Sequence, residues 1–547
     1  MKITHLLYID DLKVFSSSQT KLNTVLRSTC AAMNDIELQW NPKKCNTIHV
    51  KRGVLVHDAA GLKLDQTSVV QSIKEGSSYK FLGVCETVKQ DEKLALVSAA
   101  KVYLQRLSVP WSSPLSDVNR VIATKQFALP VLSYLMWTQH WPITELRVVN
   151  REARKIIHEN GGKHPLSSTA VMYLPRHLGG RGLRSVEREY KLTKIKAAVK
   201  LYQNSDPTIR TVQMFEERAV EKGHSSLLTE AHKYAEELEI SLSLRYPNPS
   251  ITLARRPEVE VEGMKIKELL KRAMIDKLQE TIKAENWHGR LLTSRWKDEE
   301  LSQDACFAWM KDWSSAPTHT VAGMIELYEQ LLPTKVYTTQ KTKTTQGDVS
   351  CRLCGKEAET LPHILSGCST LAQSKYLDQH NAALKILFFE KCKDLKLVEG
   401  VPPWYSPVKP KPVYESDEGK AFWDVAVYAE HTYVRANIID ARFVDHKAKQ
   451  VWAVEMSCPW IDNRAKKVEE KAIKYGPLLL ELKQQHPGYK VQQCNIIIDA
   501  LGGWSKDVEE TMKKLVGARS KCVLEKMQKA TISYSLHIAR YFKAAVL

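Results

Sequence analysis

A chain of 547 residues with 43% hydrophobic content has the length for about three or four domains with sizeable cores, which excludes a disordered polypeptide. Lys and Arg number 80 against 62 acids, a formal charge of +18, and that imbalance favours a polyanionic partner, DNA or RNA, over mere solubility. The eleven cysteines hold one close cluster and are otherwise scattered, which points to a reducing compartment and a metal site rather than a disulfide framework. The N-terminal apolar stretch is broken at Asp10 and Asp11, too early for a secretory core, and no run approaches the length of a membrane span.

Residues 1 to 85 read as strand, turn, strand, helix, strand. "THLLYIDDLKVFSSS" carries two carboxylates between two apolar runs. Ser16, Ser17 or Ser18 caps a helix in which Leu22, Val25, Leu26, Thr29, Met33 and Ile36 share a face. "LQWNPKKCNTIHV" predicts a turn and a strand, and "SSYKFLGV" a short strand closed by Gly83. From about 90 to 335 the pattern is mainly helical and amphipathic, interrupted at "YLPRHLGGRGL" and "RYPNPS". The tryptophans along it, Trp111, Trp137, Trp141, Trp287, Trp296, Trp309 and Trp313, read as packing residues rather than a stacking platform for bases. "TTQKTKTTQGD" is a polar basic linker, and "EGVPPWYSPVKPKPVYES" lacks too many amides for regular structure and marks a boundary. A compact α/β domain is expected to about residue 517. The last thirty residues predict one amphipathic helix, with Leu524, Met527, Ile532, Leu536, Ile538 and Phe542, that docks on the protein rather than anchoring in a membrane.

Cys351, Cys354, His363 and Cys368 form C-x2-C-x8-H-x4-C, with Gly355 suited to a tight knuckle. Three thiolates and an imidazole within one short segment are the soft ligands of a closed tetrahedral zinc, which would hold a fold and leave no open position for catalysis. The alternative is a set of buried small residues.

In "YVRANIIDARFVDHKAKQVWAVEMSCPW" two strand-like runs flank a turn centred on Lys447 and Ala448. Antiparallel register then sets Asp440 opposite Glu455, since each lies the same distance from that centre. Opposed residues share a face with Cβ atoms about 5 Å apart, so two carboxylates stand side by side as a site for a hard cation. The following segment "DNRAKKVEEKAIKYGPLLLELKQQ" predicts a helix with Lys467, Lys471 and Lys474 on one face, from which a lysine can reach back to the acids and stabilise charge on a phosphate. Composition alone fits equally a surface hairpin and a solvated charged helix. "CNIIIDALGG" reads as a buried strand completing the sheet.

In this order the pieces resemble the C-terminal half of the non-LTR retrotransposon polyproteins that carry a restriction-enzyme-like endonuclease, over most of the chain. "YIDD" resembles the catalytic tip of a reverse-transcriptase palm, "NPKKCNTIHV" the following palm segment, "YKFLGV" the strand that grips the primer, and "LPRHLGGRGLRSVE" a segment near the thumb. "CRLCGKEAETLPHILSGC" resembles the zinc knuckle of these proteins. The last domain is similar to their endonuclease, with Glu455 matching the second acid and Lys471 with Lys474 the displaced lysine. The first acid of the family follows Arg-Pro or Lys-Pro, whereas Ile438 and Ile439 precede Asp440 here.

The resemblance implies a multidomain α+β and α/β chain: a partial reverse-transcriptase palm at 1–88, a thumb-like helical region at 89–200, a helical linker region at 201–345, a zinc knuckle with its following helix at 346–400, a proline-rich linker at 401–412, a restriction-endonuclease-like α/β domain at 413–517 and a C-terminal helix at 518–547. It implies structural zinc, magnesium or manganese on Asp440 and Glu455, DNA and RNA as partners, no membrane, and nuclear action. Polymerases of this class need an upstream aspartate as well as the tip pair, and only nine residues precede Asp10, so Asp10 and Asp11 are expected to be an incomplete polymerase site and RNA-directed DNA synthesis is not expected from this chain alone. The expected function is nucleic-acid binding with metal-dependent DNA nicking; the alternative is a non-catalytic nucleic-acid-binding remnant or a binding protein retained by a host.

Overall fold

A computed structural model describes residues 4–38, 40–56, 61–63, 69–74, 76–86, 91–253, 256–261 and 266–546. It is a mixed α and β structure in two compact units, one of Met1–Ser112, Ala123–Ile156 and Arg184–Met274, the other of Ser113–Ile122, Ile157–Leu183 and Ile275–Leu547. The boundary expected at residue 88 lies outside the described residues.

In the first unit β1 (His5–Tyr8) and β2 (Asp11–Val14) form an antiparallel hairpin with Ile9 and Asp10 in its turn. Helix α1 (Gln19–Asp35) starts at Ser18, whose hydroxyl accepts the Lys21 N–H at 3.4 Å and so satisfies one of the free amides of the first turn. Its Leu26 is buried with Leu62 and Val70. Helices α2 (Val186–Gln203) and α3 (Leu227–Glu237) enclose Ala198, Leu201, Tyr202, Leu228 and Ala231.

Next come β3 (Ile240–Ser243), β4 (Ser250–Leu253) and β5 (Arg256–Val261), an antiparallel sheet where helix was expected. "ISLS" and "SITL" alternate apolar and hydroxyl residues, a period-two pattern too short to stand out in a helical window, and "RYPNPS" supplies the reversal. The tryptophans divide: Trp111, Trp141 and Trp309 are buried, while Trp137 is exposed.

The second unit contains α4 (Thr318–Tyr328), α5 (Leu377–Asp394), strands β6 (Val413–Ser416), β7 (Gly419–Ala426), β8 (Ile438–Asp445) and β9 (Gln450–Ser457), helix α6 (Arg464–Gln485), strand β10 (Lys490–Ile497), and helices α7 (Lys506–Val516) and α8 (Ser520–Val546). The sheet runs β6-β7-β8-β9-β10. All neighbours are antiparallel except β9 and β10, whose parallel pairing needs a crossover, and α6 is that crossover. Central strands β8 and β9 are buried along most of their length because helices cover both faces, so their sequences read as apolar runs rather than clean alternation.

On one face, Leu384, Leu387 and Phe388 of α5 meet Phe443, Trp452 and Ile496 of the sheet, Met512 of α7, and Leu524 and Met527 of α8. On the other, Tyr475, Leu478 and Leu482 of α6 cover Ala453 and Val427. The six apolar residues expected on the C-terminal helix are all buried, and the helix lies along α5. No helix among the described residues is long and apolar enough to cross a membrane.

Asp499 closes β10. It is fully buried between Arg295, at 2.6 Å from two guanidinium nitrogens, and Arg464, at 2.9 Å, and it accepts the N–H groups of Leu501 and Gly503 at 3.0 and 3.1 Å. A Cβ on Gly503 would meet Arg295 Nη1 at 2.6 Å, so the pair approaches only because that residue has no side chain. Asp499→Ala strands a buried guanidinium, and about 3–5 kcal/mol of unfolding free energy should be lost, as read by urea denaturation.

Candidate functional site

The knuckle is built locally. The Cys351 N–H donates to Glu357 O and the Gly355 N–H to Cys351 O, both at 2.7 Å, closing a tight turn around the first thiol pair with Gly355 at φ +66°. The short helical turn His363–Gly367 then carries His363 and delivers Cys368 from its end. The ligand atoms of Cys351, Cys354, His363 and Cys368 all lie within 4.8 Å of one another. A tetrahedral zinc about 2.3 Å from each sulfur spaces its sulfurs by roughly 3.8 Å, so this donor set can hold one.

His363 Nδ1 lies 3.1 Å from Glu357 Oε2, which fixes the hydrogen on Nδ1 and leaves the Nε2 lone pair, 3.3 Å from Cys354 Sγ, for a metal. Hydrogen bonds from the main chain at Lys356 and Glu357 and from His363 pull the Cys354 thiol down to about 6, while burial pushes Cys368 up to about 11. Three sulfurs and an imidazole nitrogen brought this close together form a donor set that could bind zinc. Glu357 escaped the sequence reading, although its place six residues before His363, inside the knuckle, was the available signal.

The second cluster joins β8, β9, α5 and α6. Register along the hairpin pairs Ala441 with Val454 and Asp445 with Gln450, the pairing expected about the turn, and Asp440 and Glu455 are the next residues beyond this paired stretch. The Asp440 N–H donates to Glu455 Oε1 at 3.2 Å, and the Met456 N–H to Asp440 Oδ2 at 2.7 Å. Glu455 is fully buried and forms an ion pair with Lys471 of α6, whose ammonium also lies 3.4 Å from Met456 O. Of the other two lysines on that helix face, Lys467 pairs with Glu470 at 2.6 Å and Lys474 bonds the Tyr475 hydroxyl at 2.8 Å; neither is seen on the carboxylates.

A residue without a sequence signal completes this cluster. His380, on the first turn of α5, places Nε2 3.0 Å from Asp440 Oδ2 and Nδ1 3.0 Å from Asn381 Oδ1. It is sixty positions from Asp440 in the chain and joins it only through the packing of α5. Burial disfavours the charged ring, but its bonds to Asp440 and Asn381 outweigh this and raise the His380 pKa above its ordinary value.

Burial alone would raise the Asp440 carboxyl, but the His380 hydrogen bond and charge, with Lys471, outweigh it and hold Asp440 below its usual range. Glu455 goes the other way: burial and the neighbouring Asp440 charge raise it against the pull of Lys471. The surroundings thus drive the two carboxyls apart, with Lys471 on one and His380 on the other. Oδ1 of Asp440 is the carboxylate oxygen left clear of these bonds.

Asp10 and Asp11 are exposed on the N-terminal hairpin, and among the described residues no third His, Cys, Asp or Glu gathers with them. No family model and no curated protein matches this sequence.

Purified protein should carry zinc stoichiometrically. Cys368→Ser should release it and lower the melting temperature, whereas Cys522→Ser, on the exposed face of α8, should leave both unchanged, as measured by metal analysis and thermal melting.

Proposed function

We propose that this chain binds nucleic acid and nicks DNA at the Asp440, Glu455 and Lys471 cluster, as a protein of the non-LTR retrotransposon class whose sequence it resembles, with the Cys3His knuckle as a structural zinc site. The observation that carries the reading is the convergence of Asp440 and Glu455 from paired strands with Lys471 from the crossover helix, three residues in three elements, on one partly open seat. The formal charge of +18 supports a polyanionic substrate.

Asp440 and Glu455 would hold a divalent cation, magnesium or manganese, which when bound supplies an activated water and neutralises charge on the scissile phosphate. The other roles belong to the chain itself. The Met456 N–H and His380 fix the orientation of Asp440 before substrate arrives, so no reorganisation is needed during the reaction. Lys471, on the edge of the seat, faces the extra negative charge that builds on the phosphate as the attacking oxygen bonds to phosphorus and the 3′ oxygen leaves. Its present pairing with Glu455 keeps the ammonium positioned. Tyr475, buried against Glu455, has its phenol pushed up by burial and that carboxylate, so it stays a neutral donor. No polymerase step is assigned to Asp10 and Asp11.

Nicking of supercoiled plasmid in Mg²⁺ or Mn²⁺ tests the reading. Wild type should convert supercoiled to open-circular DNA. Asp440→Asn should abolish conversion, Lys471→Ala should reduce it by about 10²–10³-fold, and His380→Ala, which loosens Asp440 without touching substrate, by about 10–100-fold. All three should retain salt-sensitive DNA binding. Cleavage that survives Asp440→Asn would overturn the site, and binding without cleavage in either metal would leave a non-catalytic binding protein.

A further inference from the structure

Three arginines are buried in the second unit among the described residues, and they differ in what faces them. Arg181 pairs with Asp117 and Arg295 with Asp499, so each guanidinium is neutralised where it is enclosed. Arg442, midway along β8, is 9% exposed and has no such partner. Its Nε is enclosed without an acceptor. Burial is the one influence on its pKa, which falls to about 10, so no carboxylate acts on it and the group stays charged at neutral pH. The ring of Phe422 on β7 lies 4.0 Å from the guanidinium carbon, a contact that serves the flat face and leaves the N–H groups at the edge unmet. A buried charge with no counter-charge is costly, and an anion that reaches it relieves the cost. We propose that Arg442, together with His486 and His446, holds a phosphate group at the end of the sheet where β8 turns into β9 and β10 begins.

The groups around this arginine are donors rather than acids. His486, the residue that follows α6, has its ring held below the ordinary pKa by burial and then by the positive charges of Arg442, His446 and Lys420. At neutral pH it is therefore an uncharged imidazole with one N–H to give. His446, just beyond β8, has Nδ1 3.2 Å from the Tyr489 hydroxyl, which orients its ring. Tyr489 packs against both imidazoles, at centroid separations of 6.3 Å from His446 and 5.6 Å from His486. Lys420 already pairs with Glu415 and is not counted as a free charge. His446, His486 and Tyr489 are half-buried, so the cluster meets solvent through them.

The donor set selects the anion. A carboxylate has two oxygens in one plane, and a guanidinium fork alone satisfies it. A phosphate has further oxygens out of that plane, and the imidazoles beside the fork supply donors for them. The site is separate from the carboxylate cluster, since Lys471 and His486 stand fifteen positions apart on and just after α6, about 22 Å along the helix. The inference therefore rests on the charge and burial around Arg442 and stands whether or not that cluster cuts DNA. Free inorganic phosphate and the backbone of a nucleic-acid strand offer the same chemistry, and two arms of one experiment separate them.

Thermal melting of the full chain in potassium phosphate against potassium chloride at equal ionic strength reads the site. Phosphate should raise the melting temperature of wild type beyond chloride, and the effect should saturate. Arg442→Met removes an unmatched buried charge, so it should melt higher than wild type in chloride and lose the phosphate increment. His486→Phe keeps a ring against Tyr489 and removes both nitrogens; it should weaken phosphate binding by about 10-fold, and it gives the reading on its own if Arg442→Met fails to fold. In the second arm a short DNA duplex is titrated at several salt concentrations. A fall of about 0.9 in the slope of log K against log salt in Arg442→Met assigns the phosphate to a nucleic-acid strand, and an unchanged slope assigns it to the free ion. Phosphate that protects wild type no better than chloride, or protects Arg442→Met and His486→Phe as well as wild type, would overturn the proposal and leave Arg442 as a stacking partner of Phe422.

Discussion

The burial of α5 is the constraint on which the second unit depends. This helix carries apolar residues around its whole circumference, with Ala382, Ala383, Leu384, Ile386, Leu387 and Phe388 all buried, so it can exist only between other layers. Each large aliphatic or aromatic side chain withdrawn from water contributes about 1.5–3 kcal/mol, and the ring of Phe388 is wedged among Phe443, Trp423, Tyr414 and Phe389 at centroid separations of 5.2 to 6.0 Å. Sheet on one side and α8 on the other follow from that requirement. Two functional consequences come with it: the first turn of α5 is held where His380 meets Asp440, and Tyr376, just before it, bonds the Cys368 N–H and the carbonyls of His363 and Ile364 at 2.9 to 3.0 Å. One helix therefore braces the knuckle at its start and the carboxylate seat on its first turn.

The carboxylate seat shows how a sheet concentrates charge at tolerable cost. A fully buried Glu455 beside Asp440 would be expensive if both were bare, since burial and like charge both oppose ionisation. Lys471 and His380 supply the compensating charges from helices on separate elements, and main-chain amides of Asp440 and Met456 supply the hydrogen bonds. The Asp499 network solves the related problem of ending a buried strand. There the carboxylate is consumed entirely by Arg295, Arg464 and two amides, so it acts as a brace.

Much of this was legible in the chain because the determining interactions are local. Knuckle ligands fall within eighteen residues, and their spacing survives into the structure as one cluster. The hairpin register followed from symmetry about Lys447 and Ala448, since a tight turn leaves one pairing that buries both strands. The Ser18 cap and the buried stripe of the last helix were equally readable. The strands at 240–261 were hidden because a period of two over four residues carries little signal, and the "TTQKTKTTQGD" segment is less extended than a linker: Thr338 lies in the short helix Lys335–Gln340, and a hydroxyl bond between Thr338 and Thr345 at 2.7 Å folds the segment back.

The amino-acid sequence by itself determined the donor types, their local spacing and the periodicities: three thiols and an imidazole in one knuckle, two acids opposed across a turn, and lysines every third or fourth residue on the helix that follows. Tertiary packing alone decided which lysine reaches the acids. Lys471 and Lys474 lie three residues apart, about one turn, and the path of α6 over the sheet sets Lys471 on Glu455 and Lys474 on Tyr475. It also decided that a histidine sixty residues upstream joins Asp440, and that loop 161–165 and α8, far apart in sequence, line one groove. Contacts of that kind depend on where layers stack, and stacking is set by burial summed over many side chains, a quantity that no short stretch of chain contains.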